Sequence, residues 1–585
     1  MDRDEVTFLP LGDRAFTFKW RESTSILDLA AKAQAIGSHD LPWLQEVVPA
    51  YRTLTFHLRD HTYIPRLAAQ MLLNILDGIA NEQSSIPRQV ELPVVYGGEY
   101  GPDLTESALR SGLSEQQFIE RHAELIYQVA LIGFAPGFPY LSGMDNSLAQ
   151  PRRASPRLKV PAGSVGIAGN QTGVYPIDSP GGWQIIGRTA KPLFRPEEVD
   201  PFLLGPGDVV KFVPIEKFED CIFHDGAANI PAKVKFSDTA TASLSVLKPG
   251  LLTTIQDLGR KGWQAFGVSA GGAMDEGSMR KANLLIGNDE DSAVLEFTLL
   301  GGSYSVEANL LIALCGADLE ASLNGKRLPM NRPVWLQAGT LLSFGRAISG
   351  SRCYMAVAGG IDVPYMLGSR STDPRARIGG GTGRALIEGD RIMCLTPALR
   401  TSELQETLHR KALASHAVWS SVSWNAEAAK SPRDIKVRVL LGAEWDTFIS
   451  DSQKSLFKDK YRLEVSSDRM GLRLAGTILM RIVNDEELES HGVTPGTIQV
   501  PPNGQPIILC AGCQPTGGYP KIAHVISADM PLLALAVPGD WVSFELTDSW
   551  TAHQALLDRD RKLAVLRAGI QLAHAREIHA EGVLR

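Results

Sequence analysis

The spacing of apolar and polar positions changes along the chain, and each pattern predicts a different kind of element. Residues 1–88 combine strand-like runs, such as VTFLPLG and YRTLTFHL, with amphipathic helical runs, such as STSILDLAAKAQAIG and YIPRLAAQMLLNILDGIA. After one more helical run, SEQQFIERHAELIYQVALIG, short apolar runs broken by Gly and Pro continue to about residue 214. Such breaks indicate tight turns between short strands. The pattern predicts a small α/β domain followed by a β domain within residues 89–220.

The strand pattern returns twice, at residues 244–399 and 434–547, and predicts two more β domains. Residues 221–243 have no apolar period and are expected to be a linker, and the polar, Ala-rich residues 400–433 are expected to be a connector. Residues 548–585 place apolar side chains at helical spacing. Because the polar face of this predicted C-terminal helix carries both signs of charge, a packing or homo-oligomer contact is favoured over a membrane surface.

One motif occurs twice in the chain. VPAGSVGIAGNQTGVYPIDSPGGW at 160–183 and TPGTIQVPPNGQPIILCAGCQPTGGY at 494–519 share the order Pro, Gly, Ser or Thr, Gln, Pro and Gly-Gly-aromatic. GPGDVVKF follows the first copy and VPGDWVSF follows the second. Repeats this far apart indicate duplicated domains, because the repeats of a solenoid recur every 20 to 50 residues or so.

Composition and charge exclude several classes of function. The 585 residues are 44% apolar and 21% charged, and a net charge of -7 with dispersed basic residues argues against nucleic acid as a partner. No apolar run approaches the roughly 18 residues of a membrane span, and the N-terminus shows no secretory leader, so we expect a cytoplasmic protein without membrane contact. Six cysteines are too few for a disulfide framework, and the CAGC of Cys510 and Cys513 lacks further metal ligands, so no metal site is predicted.

Candidate anion ligands surround both copies of the repeated motif. The basic run PRRASPRLKV before the first copy supplies Arg152, Arg157 and Lys159, which attract phosphate or carboxylate, although such a run is usually a solvated loop. Glycine-rich turns add backbone amides that bind anions. The candidates at the turns are Gly163, Ser164, Gly181, Gly182 and Arg188 in the first copy, and Gln499, Gly517, Gly518 and Tyr519 in the second.

The central region offers a second group of candidates. Hydroxyls and guanidiniums on a glycine-rich loop suit an oxyanion or phosphate, and this loop carries Ser369, Arg370, Ser371, Thr372 and Arg384. Asp257 and Asp275 lie close to arginines in the sequence, where a structural ion pair is the commoner outcome. The chain contains no GxxxxGK[ST] loop or HExxH motif, and no Met-Lys-Met of the kind on which biotin is carried.

The longer motifs resemble a known family. Through GFAPGFPYLSGMD, the basic run and the GPGD ending, residues 1–220 resemble the allophanate hydrolase subunit 1 or kinase-inhibitor family, which is associated with the B subunit of 5-oxoprolinase. Residues 244–547 resemble its usual partner, the C subunit, through KPGLLTTIQDLGRKGW, GAMDEGSMRKANLLIGN, SSDRMGLRL and TGGYPKIAHVISAD. The chain is similar to a natural fusion of the two. The resemblance implies a mainly β protein with an α+β N-terminus, in which a ferredoxin-like α/β domain precedes three cyclophilin-like β-barrel domains.

The resemblance also implies a choice of chemistry. In the first, the fused modules use ATP with Mg²⁺ to phosphorylate the lactam oxygen of 5-oxoproline, and a separate A subunit opens the ring to glutamate. The implied catalytic candidates are Arg157, Lys159, Asp178, Asp257 and Asp275, with Arg152, Arg188, Arg370 and Arg384 to bind phosphate. In the second, carboxybiotin on another protein passes its carboxyl group to urea or a similar small amide. A third interpretation is a regulator that binds a histidine kinase, and the absence of a biotin-carrier lysine favours the first.

The C-terminal half departs from the family's pattern at a few positions. Asp373 follows the GSRST run, CAGC replaces an Asp-containing segment, and Leu535 and Val537 precede PGD. We therefore expect either a substrate other than 5-oxoproline or a cavity in that half that is not catalytic.

Overall fold

The fold is taken from a computed structural model of the chain, which describes residues 6–59, 63–79, 87–218, 241–429, 432–483 and 488–582. The predicted linker, 221–243, lies outside these residues except at its end, where the strand Thr241–Lys248 begins. The fold is mainly β with an α+β N-terminus, as predicted.

The N-terminal domain is a four-stranded antiparallel sheet with two helices. Its strands are Val6–Pro10, Ala15–Trp20, Leu44–Ala50 and Thr53–Leu58, and its helices are Ile26–Ser38 and Pro65–Ile79. The strands lie in the order first, second, fourth, third, so the helix-linked strands are not neighbours, as expected for a ferredoxin-like domain. Ser25 caps the first helix by accepting a hydrogen bond from the Asp28 amide at 3.4 Å. Phe16, Phe18 and Phe56 pack together in the core between the sheet and the helices.

The next domain is a closed seven-stranded barrel. Its strands are Gln89–Tyr96, Ile126–Ile132, Pro139–Ser142, Ser164–Ala168, Gln171–Val174, Gln184–Arg188 and Val209–Pro214. Arg157–Val160 and Ser179–Gly181 pair as a separate two-stranded ribbon. Two helices, Leu104–Arg110 and Glu115–Glu124, lie between the first and second strands of the barrel, and the 3₁₀ turn Asn146–Leu148 follows the third strand. Closure comes from parallel pairing of the first strand with the last, and Leu92, Val129 and Ile167 lie among the side chains that fill the interior.

The last domain repeats that barrel. Its strands are Asp434–Leu441, Tyr461–Leu463, Gly471–Ala475, Thr497–Gln499, Ile507–Leu509, Lys521–Val525 and Trp541–Leu546. It carries the equivalent ribbon, His491–Gly492 with Thr516–Gly517, together with the 3₁₀ turn Trp445–Thr447 and the helices Ser450–Lys458 and Met530–Ala534. In both barrels the strands follow the same cyclic order, first, sixth, fourth, fifth, third, second, seventh. The duplication read from the repeated motif is therefore a duplication of one topology.

The middle domain refines the prediction of a third barrel, because its strands form two six-stranded sheets that face each other. The strands after Thr241–Lys248 are Leu252–Gln256, Val294–Thr298, Ser303–Val306, Leu310–Asp318, Ser322–Leu323, Lys326–Arg327, Pro333–Leu336, Leu341–Ser343, Ser349–Val357, Arg391–Cys394 and Trp419–Ser421. Leu244, Phe297 and Val357 are buried between the sheets. Helices cover the outer face of the second sheet. The sheet is therefore a layer between the first sheet and the helices, and not part of a closed barrel.

Those covering helices are Glu276–Ile286, Leu399–Ala414 and Ser549–Gly582, and a 3₁₀ turn, Gln264–Phe266, precedes the first. The segment expected to be a connector thus supplies a helix and a strand, Trp419–Ser421, that pairs with Pro333–Leu336. The long C-terminal helix is anchored by Ile570 in the apolar layer and by the His574 ring, 2.8 Å from the Leu285 carbonyl. Within the described residues, no helix combines the length and apolarity needed to cross a membrane.

Candidate functional site

A cleft of about 110 Å³ lies where the first barrel, the middle domain and the last barrel meet. Phe134 and Asp178 come from the first barrel, Asp373 and Arg375 from the middle domain, and Gln514 from the last barrel. By the volume that one water needs, the cleft has room for roughly eight to ten water-sized groups, which is the size of a small amide. Residues from both halves of the chain therefore line one cleft.

Asp178 is the sequence-predicted carboxylate that lines this cleft. Its Oδ2 lies 2.8 Å from the Lys159 ammonium, and its Oδ1 accepts a hydrogen bond from the Ala162 amide at 2.9 Å. Burial by itself raises the pKa of Asp178, but the bonds from Lys159 and Ala162 outweigh burial and lower it. Asp178 is therefore ionised near neutral pH, and Lys159, at 69% exposure, stays in contact with water.

Asp373 and Arg375 reach the cleft on a loop that is anchored from below by Asp257. Asp257 Oδ1 accepts hydrogen bonds from the Ser369 hydroxyl at 2.6 Å and the Ser371 hydroxyl at 2.5 Å, and its Oδ2 accepts one from the Arg370 amide at 2.5 Å. The structure thus brings three predicted residues onto one carboxylate. Their polar atoms are used within the loop, so this group positions the loop rather than facing the cleft.

Buried Arg260 supports the same loop from the other side. Its guanidinium donates to the Met366 carbonyl at 3.1 Å and to the Ser371 carbonyl, and the side chain is fully buried. Predicted Thr372 is also held inside, where both its amide and its hydroxyl donate to the Ile255 carbonyl. Two buried charges of opposite sign, Asp257 and Arg260, therefore fix the backbone that presents Asp373 and Arg375.

Most of the predicted cations are paired outside the cleft. Arg157 donates to Asp103 Oδ1 at 2.8 Å, and Arg384 makes a bidentate pair with Asp390 at 2.7 and 2.9 Å. Arg370 lies 4.0 Å from the centre of the Tyr365 ring and donates to the Val363 carbonyl. Each of these arginines therefore interacts with neighbouring residues of the chain, which is the structural role that charged residues more commonly have.

The remaining predicted residues of the first barrel shape its backbone. Gly163 has a φ of +83°, and a Cβ there would lie 2.1 Å from the Thr189 carbonyl oxygen; a Cβ at Gly181 would lie 2.4 Å from the Tyr175 hydroxyl. Ser164 is buried in a strand, and the Gly182 carbonyl accepts the Arg153 amide at 2.8 Å. Arg188 donates to the Ala162 carbonyl at 2.8 Å, and Arg152, at the start of the basic run, is exposed.

Asp275, a predicted catalytic residue, caps a helix. It precedes Glu276–Ile286, and its Oδ1 accepts a hydrogen bond from the Ser278 amide at 3.0 Å. Burial raises the pKa of Asp275, and the bonds from Ser278 oppose that rise only in part. Its position is explained by the helix start.

A buried polar cluster in the last barrel was not singled out in the sequence. His491 Nε2 lies 2.8 Å from the Lys521 ammonium and 3.2 Å from Glu444 Oε1, and Lys521 also donates to the Gly517 carbonyl at 2.9 Å. Glu444 Oε2 accepts the Lys521 amide at 2.8 Å. Lys521 is fully buried and His491 is 8% exposed. We call Glu444, His491 and Lys521 the Lys521 cluster.

The protonation of the Lys521 cluster follows from its burial. Burial lowers the pKa of Lys521 to about 8, with Glu444 opposing part of the shift, and burial together with Lys521 lowers the pKa of His491. Burial alone would raise the pKa of Glu444, but His491 and Lys521 lower it to about 2. At neutral pH the cluster holds an ionised carboxylate, a neutral imidazole and an ammonium that loses its proton in the range of catalytic bases.

Two predicted residues of the second motif border this cluster. A Cβ at Gly517 would lie 2.5 Å from Gln499 Nε2, so only glycine leaves room there for the amide. Within the part of the chain that the structure describes, Gln499 Nε2 and His491 Nδ1 are buried without a hydrogen-bond partner. Gly518 is half-buried and Tyr519 is 48% exposed. Neighbouring Thr516 touches the first barrel, since a Cβ at Gly133 would lie 2.7 Å from its hydroxyl.

A signal for the Lys521 cluster was present in the duplicated motif. In the ribbon of the first barrel Arg157 stands opposite Gly181, and in the ribbon of the last barrel His491 stands opposite Gly517. On the neighbouring strands Ile185 is opposite Gly166 and Lys521 is opposite Gln499. The strand KIAHV is apolar except for Lys521 and His524, whereas the equivalent strand of the first copy has Ile185 and Arg188 at these places. This strand marks the place where the two copies differ in chemistry.

The two cysteines of the second motif lie inside the last barrel. Cys510 and Cys513 are buried free thiols, and burial raises the pKa of each to about 12. Across the described ranges, no three His, Cys, Asp or Glu side chains are grouped to hold a metal ion.

Comparison with known proteins assigns the two halves. Residues 6–204 match the family model described as carboxyltransferase domain, subdomain C and D, and residues 266–546 match carboxyltransferase domain, subdomain A and B. The chain belongs to the carboxyltransferase-domain family. In this chain subdomains C and D come before subdomains A and B. The family resemblance inferred from the motifs is confirmed.

Relatives of the two halves are separate proteins. The chain is 40% identical over 320 residues to the C subunit of 5-oxoprolinase from Escherichia coli (strain K12), covering 53% of this chain and 94% of that protein. It is 43% identical over 220 residues to the B subunit of 5-oxoprolinase from Bacillus subtilis (strain 168), covering 35% of this chain and 92% of that protein. The crystal structure of TTHA0988 superimposes with a TM-score of 0.76 at 33% identity and covers 91% of this chain and 99% of that chain. The fused order of domains therefore recurs in a solved structure.

Proposed function

We propose that this chain is the fused B and C component of an ATP-dependent 5-oxoprolinase, which activates a small cyclic amide so that a separate A subunit opens it. The observation that carries the proposal is the cleft to which both halves contribute, with Asp178 on one side and Asp373 and Arg375 on the other. The similarity of the two halves to the B and C subunits of 5-oxoprolinase supports it. That similarity also implies partner subunits.

The cleft offers the contacts that a lactam requires. Ionised Asp178 can accept a hydrogen bond from a lactam N–H, and Arg375 and Lys159 supply positive charge for a carboxylate or for an oxygen that becomes phosphorylated. The aromatic ring of Phe134 and the apolar side chains of Ala135 and Ile177 form an apolar part of the wall, which suits the hydrocarbon part of a small ring. ATP, when bound, supplies the phosphoryl group that turns the amide oxygen into a leaving group.

The Lys521 cluster supplies a proton acceptor for the same reaction. O-phosphorylation leaves the lactam nitrogen with a proton to lose, and a base with a pKa near the working pH accepts it best. Lys521 takes the proton in its neutral form, which is half-populated at about pH 8, and the ammonium that results is stabilised by Glu444 beside His491. Gln514 lines the cleft two residues before Thr516, which links the cleft along the chain to the ribbon that carries His491.

A separate cavity beside the cleft loop has the dimensions of a nucleotide site. It measures about 380 Å³ and is lined by Gly380, Gly381 and Thr382, by Arg391, and by apolar side chains such as Ile255 and Met393. Glycine backbone and arginine suit phosphates, and apolar walls suit a base. Within the described residues the Thr382 hydroxyl is buried without a partner. The loop that carries Asp373 and Arg375 into the cleft continues directly into residues 380–382, so these residues would hold ATP next to the amide.

The test is ATP consumption by the purified chain with a cognate A subunit, across 5-oxoproline, urea and related amides. We expect turnover with 5-oxoproline, and at least a roughly 100-fold loss in Asp178→Asn with unchanged folding. Lys436→Met is the matched control, because Lys436 pairs with Glu545 on the outer surface of the last barrel at 62% exposure. ATP turnover on no amide would contradict the proposal.

A carboxyltransferase acting between carboxybiotin on another protein and a small amide is the second candidate. Both matching family models are described as carboxyltransferase domains, and the cleft accepts an amide in either reaction. Carboxyl exchange with free biotin in the absence of ATP, combined with no ATP turnover on 5-oxoproline, would establish it in place of the first. Capture of a histidine kinase without turnover on any amide would favour the regulator.

A further inference from the structure

A second interdomain cavity, of about 180 Å³, lies where the N-terminal domain meets the middle domain and the last barrel. Its walls include Arg14 and His57 of the N-terminal sheet, Lys261 of the middle domain, Ser527 of the last barrel and Arg559 of the C-terminal helix. No residue of the cleft wall belongs to this cavity. The two are nevertheless adjacent, because Ser269 and Gly512 line the cleft while their neighbours Ala270 and Ala511 line the cavity.

The polar side of the cavity is positively charged. Arg14, Lys261 and Arg559 face two acids, Asp13 and Glu276. Asp13 is already satisfied, since it accepts hydrogen bonds from the Ser527 amide at 2.9 Å and the Ser527 hydroxyl at 2.7 Å. Among the residues that the structure describes, Lys261 forms no ion pair. Arg559 also pairs with Asp560 at 3.8 Å, so Lys261 is the cation of this cavity that is left to pair with a single negative charge of a ligand.

His57 adds a hydrogen-bonding group without a partner. Its side chain lines the cavity, is 7% exposed, and has a buried Nε2 that makes no hydrogen bond to any described group. Burial lowers the pKa of His57, so the ring is neutral at pH 7. Buried polar atoms are nearly always paired in folded proteins, and the exceptions mark sites where a ligand or water completes the set.

Part of the lining is apolar. It includes Leu258, Met274, Val525, Met530 and Pro531, and Met side chains adapt to ligands of varied shape. A bare phosphate would leave this part without a partner, whereas an organic acid with a short hydrocarbon body would cover it. By the volume per water-sized group, the cavity accommodates roughly a dozen such groups.

We propose that this cavity binds a small organic carboxylate with one net negative charge, of amino-acid size, at a site separate from the amide cleft. Lys261 and Arg14 pair with the carboxylate, and the body of the ligand lies on Met274 and Met530.

The experiment is calorimetric titration of the full chain, without ATP, using 5-oxoproline, L-glutamate and inorganic phosphate as separate probes. We expect saturable binding of at least one of the two carboxylates that becomes at least about 5-fold weaker in Lys261→Gln and is unchanged in Asp178→Asn. Lys261 is exposed, so we expect Lys261→Gln to fold like the parent. Lys436→Met serves as the charge-matched control.

Binding of a carboxylate that is lost in Asp178→Asn and kept in Lys261→Gln would overturn the proposal, because it would place the ligand in the cleft. Binding of phosphate alone would overturn the assignment of an organic ligand, and no saturable binding of any probe would overturn the site. Since the titration uses no ATP, these outcomes are independent of whether the chain activates amides.

Discussion

The first and last barrels share one topology but differ in what neutralises the same buried carboxylate position. In the first barrel Asp103 accepts the Ile185 amide at 2.6 Å and pairs with Arg153 and Arg157. In the last barrel Glu444 accepts the amide of Lys521, the residue equivalent to Ile185, and pairs with His491, the residue equivalent to Arg157. In both barrels, therefore, one carboxylate accepts the backbone amide at the start of this strand, but the cations paired with the carboxylate differ.

The difference separates a structural ion pair from a group that can change its charge. Arginine remains protonated under all ordinary conditions, so the pair in the first barrel is fixed. Histidine and a buried lysine exchange protons near neutral pH, and a lysine is not needed to build the barrel, because Ile185 occupies the same place in the first copy. Duplication thus kept the framework and changed the chemistry at a few positions.

The largest expected effect is on stability in Glu444→Gln. Loss of the carboxylate leaves buried Lys521 without its anion, which costs about 3 to 5 kcal/mol. Hydrogen–deuterium exchange of the strand Lys521–Val525 measures the change locally, with the strand Gln184–Arg188 as the internal reference. Equal exchange in the variant and the parent would show that the cluster does not carry a buried charge.

Lys521→Met is expected to reduce turnover about 100-fold, because the proton acceptor is removed while the methylene stem is preserved. Steady-state rates with 5-oxoproline, ATP and the A subunit measure it, and Lys521→Arg should remain inactive because arginine does not release its proton. Full activity of the methionine variant would reduce the Lys521 cluster to a structural role.

The pH dependence of stability distinguishes the barrels directly. The pKa of Lys521 is about 8 in the folded state and near its ordinary value when unfolded, so between these values the unfolded chain binds the extra proton and stability rises with pH. We expect the last barrel to gain about 2 kcal/mol between about pH 8 and pH 9.5 by local hydrogen exchange, and the gain to vanish in Lys521→Met. Glu444, His491 and His524 do not titrate in this window, because the pKa of each is lowered.

The smallest effect is expected in Asp103→Asn of the first barrel. Arg153 and Arg157 retain 35% and 24% exposure and can turn towards water, and the asparagine oxygen still accepts the Ile185 amide. The loss should be about 1 to 2 kcal/mol in local exchange of the strand Gln184–Arg188. A loss as large as in Glu444→Gln would mean that the arginines are as dependent on their anion as Lys521.

The fold was largely predictable because the patterns are long and repeated. The repeated motif, with its Gly-Gly-aromatic turn and PGD ending, reports a barrel in each place, and the first helices follow capping residues such as Ser25. The middle domain was harder, because apolar strands of a barrel and of a layered sheet have the same spacing. Only the helices that cover Leu311 and Ala356 on the outer face distinguish them.

The site was predictable in part. Asp178 was singled out and lines the cleft, but Asp257 and Asp275 could not be told from catalytic carboxylates, since their roles depend on partners that are distant in sequence or on a helix start. Charged residues in a run attract attention, whereas Glu444, His491 and Lys521 lie far apart in the sequence. The catalytic importance predicted for Arg157 stays a prediction, and its pairing with Asp103 leads us to expect loss of stability in Arg157→Ala as well.

The shared cleft also bears on how the protein can be regulated in a cell. Where the two halves are separate polypeptides, the fraction of joined clefts falls with dilution. In this chain a covalent connection gives the halves an effective concentration in roughly the millimolar range, so every molecule carries both walls at any expression level. Gene dosage and dilution then change the number of complete clefts in simple proportion, so any control of the protein must act on the cleft itself.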